Sequence, residues 1–62
     1  MTPAECRERR LALGLSRYEL ARRAGLVERT VVRFEEGIVR AREVTLVALR
    51  KGLRRAEEAG RA

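Results

Sequence analysis

Between residues 28 and 36 the sequence reads ERTVVRFEE, and its charged residues recur at spacings that a helix would gather on one side. At about 100° of rotation per residue, Glu28, Arg29, Val32, Arg33 and Glu36 fall within an arc of about 140°. Two guanidinium forks on such an arc match the paired acceptors of a guanine edge, or the oxygens of a phosphate. Val32 adds an apolar spot to this otherwise charged side. Glu28 opens the arc at the positive end of its helix, which favours a carboxylate. Catalysis is a poor match. The chain has no His, no Asp, no Ser–His or Cys–His pair and no phosphate-loop glycine cluster, so no catalytic residue is expected.

Composition agrees with anion recognition. Fifteen Lys+Arg against nine Glu give a net charge of +6, with an isoelectric point near 11.2. Every cation except Lys51 is arginine. A domain isoelectric point above about 9 is the footprint expected of a nucleic-acid binder, although a soluble basic helical protein has the same composition. Cys6 has no second Cys and no His to share a metal with, so neither a metal nor a cofactor is expected. Near the start of an apolar helix face it reads as a small core residue, with a reactive thiol as the alternative. No apolar run approaches about 18 residues and no cleavable signal is visible, so a cytoplasmic protein away from membranes is expected.

The elements that would carry these groups follow from punctuation. Sixty-two residues bound one small domain, and a chain this short buries only about 60% of its unfolded surface. Tyr18 and Phe34 are the only aromatics, so the core must come from Leu, Val and Ala. No alternating run of strand length occurs, which makes the class all-α. Thr2, Pro3 and Glu5 open a first helix as a capping box that runs to about Leu13, with Gly14 as its stop. Ser16 and Glu19 open a second, over about 17 to 24, with Leu20, Ala21 and Ala24 inward and Gly25 as its stop. The third spans about 28 to 36, and Val27, Thr30, Val31, Phe34 and Glu35 fall on its inner half. Residues 38 to 43 read as a loop, and a last helix runs from about 44 to 59 with Leu46, Leu49, Leu53 and Ala56 on one stripe. Gly52 inside that helix signals either a break or a close helix contact.

LALGLSRYELARRAGLVERTVVRFEEG resembles the helix-turn-helix of phage repressor and Cro-type regulators, the Xre-like family. Leu13, Gly14, Leu15 and Ser16 match in order and spacing, as do Glu19, Leu20 and Ala21, then Ala24 and Gly25, then Glu35, Glu36 and Gly37. The resemblance implies a lambda repressor-like bundle of four to five helices over 1–62, a single domain with the helix-turn-helix at about 16–36. It makes the third helix the recognition helix, with Glu28, Arg29, Val32 and Arg33 toward the major groove of double-stranded DNA. Ser16, Arg17, Tyr18, Thr30, Arg40 and Arg42 would meet the DNA backbone, the last two remaining readable as solvated loop charges. Arg10 and Glu35 match a family ion pair between the first and third helices. Glu35's place on the inner wheel independently calls for a partner.

The sequence departs from the family at three places. Val27 stands where Ser or Thr usually caps the recognition helix, which removes a cap of about 1 kcal/mol. Arg17 stands where glutamine is common, and Tyr18 where a polar residue is. The two arginines and two glutamates of the outer arc also cancel, which is unusual beside a polyanion. The last helix carries Val47 and Arg50 on its outer edge, read as a dimer contact or as part of a solvated face. The implied function is a bacterial or phage transcription regulator, a repressor binding operator DNA as a homodimer. A protein-interaction module on the same fold, an anti-activator or antitoxin-like protein with a protein partner, is the second reading.

Overall fold

The computed structural model of the chain describes residues 1–60. Four α-helices and no strand occur among them: α1 (Pro3–Ala12), α2 (Arg17–Ala24), α3 (Glu28–Glu35) and α4 (Glu43–Ala59). Both expected capping boxes form. The Thr2 hydroxyl accepts the Glu5 N–H at 3.1 Å while the Glu5 carboxylate accepts the Thr2 N–H at 3.2 Å. At α2, Ser16 and Glu19 exchange the same two bonds at 3.0 and 2.8 Å. Neither α3 nor α4 has a side-chain cap, since Val27 and Arg42 stand at their N-cap positions.

Every helix contributes to the core. Cys6 of α1, Leu20 and Ala21 of α2, Val31 and Phe34 of α3, and Leu49 and Leu53 of α4 form one buried cluster, with Leu13, Ala24, Leu26 and Leu46 packed at its margin. The helices reach this cluster because their apolar residues recur three and four apart. α2 is the central element, in contact with both α4 and α3.

One expectation changes, and the alternative left open at Gly52 is decided for a close helix contact. Val27 does not face inward but is 67% exposed. It precedes the first helical turn with φ −87° and ψ 152°, so helical rotation does not govern its direction. At Gly52 the helix does not break. α4 continues through it, and a Cβ there would lie 3.0 Å from Ala24 Cβ and 3.1 Å from Ala24 N. The glycine lets α4 approach the end of α2.

Gly52→Ala therefore sets two effects against each other. Helix propensity favours alanine by about 1 kcal/mol, but overpacking against the backbone of α2 costs about 1–3 kcal/mol. Backbone atoms cannot swing aside, so overpacking wins. Thermal unfolding should show a melting temperature lowered by about 4–8 °C for each kcal/mol lost. A rise would show that the α2–α4 contact yields at little cost.

Candidate nucleic-acid interface

The placement of α3 begins at Gly25, which has φ 72°, the left-handed region that side-chain-bearing residues avoid. Its N–H reaches the Arg22 carbonyl at 3.3 Å and the Leu26 N–H reaches the Ala21 carbonyl at 2.8 Å. These two bonds close α2 as a Schellman turn and redirect the chain. Only residues 25 to 27 separate the two helices, and α3 packs directly on α2.

The other end of α3 is tied to α1. Arg10 donates through Nε to Glu35 Oε2 and through Nη2 to Oε1, both at 2.9 Å, and through Nη1 to the Leu15 carbonyl at 2.9 Å. The Glu35 side chain is 0% exposed and that of Arg10 is 7% exposed. Two further donors converge on the same carboxylate. Arg17 Nε donates to Oε1 at 3.3 Å, and the Cys6 thiol to Oε2 at 3.5 Å. Burial alone would raise the Glu35 pKa, but the hydrogen bond and charge of Arg10, helped by Cys6 and Arg17, outweigh it and hold the group below its ordinary value. Cys6 is pushed up to about 12 by burial first, then by the charge and hydrogen bond of Glu35. At neutral pH it is a protonated core donor, not a nucleophile.

With both ends fixed, α3 turns one side outward. Glu28, Arg29, Arg33 and Glu36 are exposed, and Val32 is half-buried among them. Thr30, Arg33, Val39, Arg40, Arg42 and Thr45 line an open groove of about 500 Å³ between α3, the following loop and the start of α4. The groove thus gathers four residues expected to meet DNA. Val39 and Thr45 join them through tertiary packing, which the sequence pattern does not signal.

At the start of α2, Ser16 is exposed and its hydroxyl oxygen is engaged by the capping bond. Arg17 is drawn partly inward to Glu35. Tyr18 is exposed, its hydroxyl accepting from Arg22 Nη1 at 3.3 Å, with that guanidinium 5.9 Å from the ring centre. Val47 and Arg50 lie elsewhere, in a second groove with Arg9, Lys51, Arg54 and Glu57. There Arg9 is paired with Glu57 of α4 at 2.8 Å and Arg50 lies 3.4 Å from Glu43. The Arg9–Glu57 pair joins residues 48 positions apart, which no local pattern could reveal. Among the described residues no cluster of His, Cys, Asp and Glu is placed to hold a metal ion, and no helix is long and apolar enough to cross a membrane.

Two helices joined by a tight glycine turn, the second presenting an open arginine-bearing side, define a helix-turn-helix domain. A helix-turn-helix family model matches residues 7–58, and the chain belongs to that family, of the Xre and lambda-repressor type. The family is one of DNA-binding regulators. No curated protein and no solved structure matches the chain.

The Glu35 cluster makes stability depend on acid in a definite direction. A carboxyl whose folded pKa is depressed stabilises the fold above its unfolded value and loses that contribution as pH falls through the folded value. Stability should therefore decline below the ordinary value of 4.5. Glu5 and Glu19, depressed by their capping bonds to Thr2 and Ser16, act in the same direction. Glu35→Gln leaves Arg10 buried without a counter-charge and should cost about 3 kcal/mol at neutral pH. Urea unfolding from pH 3 to 7 should find this variant less stable at pH 7 and less sensitive to acid than the parent. Equal acid sensitivity would place the titrating group elsewhere.

Proposed function

We propose that the protein is a cytoplasmic, sequence-specific transcription regulator, a repressor that reads operator half-sites in the major groove as a homodimer. The observation that carries this reading is the exposure of Arg29 and Arg33 on α3, beside a groove that adds Thr30, Arg40 and Arg42. Arg29 and Arg33 fork onto guanine O6 and N7, Val32 touches a thymine methyl and Glu28 accepts from cytosine N4. Ser16, Arg17, Tyr18, Thr30, Arg40 and Arg42 meet phosphates, fixing register without reading sequence. The dimer contact involves Val47 and Arg50, on the groove between α1 and α4.

One feature favours a protein partner instead. Val27 and Tyr18 are exposed and line, with Leu26 and Glu28, a shallow site where α2 turns into α3. An anti-activator or antitoxin-like protein would use these apolar groups, and its binding would not depend steeply on salt.

Selection of duplexes from a random pool, followed by binding measured over a salt series, tests the reading. The selected sequence should contain two related half-sites about one helical turn apart. Log affinity should fall with log salt at about 0.9 per phosphate contacted. Arg33→Ala should weaken the selected site by about 1–3 kcal/mol and random duplex little, whereas Arg40→Ala should weaken both alike. Failure to bind any duplex at low salt would falsify the proposal.

A further inference from the structure

We propose that Glu35 and Glu36 jointly position Arg17 as a phosphate clamp, Glu35 holding its Nε edge while Glu36 guards its outer edge until a phosphate replaces it. The inference rests on the DNA-binding reading above. It starts from an imbalance of charge. Glu35 is already bonded through both oxygens to Arg10, yet Arg17 Nε lies on Oε1 at 3.3 Å. Two guanidinium groups share one buried carboxylate. The nearest balancing charge is Glu36, whose Oε2 lies 3.9 Å from Arg17 Nη1.

The two edges of Arg17 differ in how readily they exchange partners. The Glu35 side chain is fully buried and cannot leave without stranding Arg10, so the Nε bond persists. Glu36 is 47% exposed and Arg17 32% exposed, at a separation too long for a hydrogen bond. An exposed contact of that kind is weak and easily replaced. Arg17 is also the first residue of α2, where its own N–H and that of Tyr18 lack intrahelical acceptors. A phosphate oxygen arriving there meets the Nη edge of a guanidinium already oriented from behind, together with those N–H groups. The placement also accounts for one of the two carboxylates on the outer side of α3, since Glu36 answers Arg17 and not Arg29 or Arg33.

The test is a double-mutant cycle on duplex binding across a salt series. Glu36→Gln should tighten binding to operator and random duplexes by about two- to fivefold, with a steeper salt dependence. Arg17→Ala should weaken both and lower the salt slope by about 0.9. With Arg17→Ala in place, the gain from Glu36→Gln should vanish. An equal gain in both backgrounds would mean that Glu36 repels DNA directly, and no gain would mean that it guards nothing; either overturns the proposal. If the parent binds no duplex, the DNA reading fails first, and inorganic phosphate then tests the clamp alone. The Arg17 Nε–H resonance should shift with added phosphate more than those of Arg29 and Arg33, and at lower phosphate in Glu36→Gln. A resonance that does not move disposes of the clamp whatever DNA does.

Discussion

A carboxylate with no exposed surface, met by two arginines and a thiol, governs how this domain presents its third helix. Glu35 gains no solvation from water, so its charge is tolerable only with donors in place. Arg10 supplies two of them in a fork geometry that fixes the angle between α1 and α3 as well as their separation. An apolar pair of similar volume would bury as well and cost less desolvation. What it would lack is direction. Leu and Val slide against one another with little change in energy, whereas a bidentate bond has one register.

Direction matters because α3 cannot hold itself. It is eight residues long, below the length at which isolated helices persist, and it has no side-chain cap at Val27. Its order is borrowed at both ends: from the Gly25 turn at the start and from Glu35 at the finish. Val31 and Phe34 supply the burial between these points. The outer side therefore inherits the rigidity of the core, and Arg29 and Arg33 start from positions that tertiary contacts have already fixed.

How much of this is legible in the sequence divides along the range of the interaction involved. Capping boxes and glycine stops act within five residues, and the spacing of Thr2 with Glu5, Ser16 with Glu19, and Gly25 after Ala24 locates the helices to within a residue or so. The inner stripe of α4 is equally plain. Val27 fails the wheel because the wheel presumes helical rotation one residue before it begins. Arg17 on Glu35, Cys6 on Glu35 and Arg9 on Glu57 depend on helix packing across 18, 29 and 48 positions. A sequence pattern contains the charges but not the choice among many equivalent partners. Arg10 is the exception, made visible by the family resemblance and by the need of an inward carboxylate for a cation.

The charge on the outer side of α3 can now be divided by function. Counted as a face, its two arginines and two glutamates cancel, which would deprive a polyanion binder of most of its attraction. Counted as contacts, they do not. Glu36 is turned toward Arg17 at the start of α2, and Glu28 stands in the first turn of α3, where the helix dipole favours a carboxylate whether or not a base is near. Arg29 and Arg33 remain without a local counter-charge in the ion pairs of the described residues. Arg40 and Arg42 line the neighbouring groove, and on the proposed DNA-binding reading the longer-range attraction would fall to them. Under the proposed function, α3 would contribute discrimination and the loop after it affinity, because phosphate contacts are indifferent to sequence and base contacts are not.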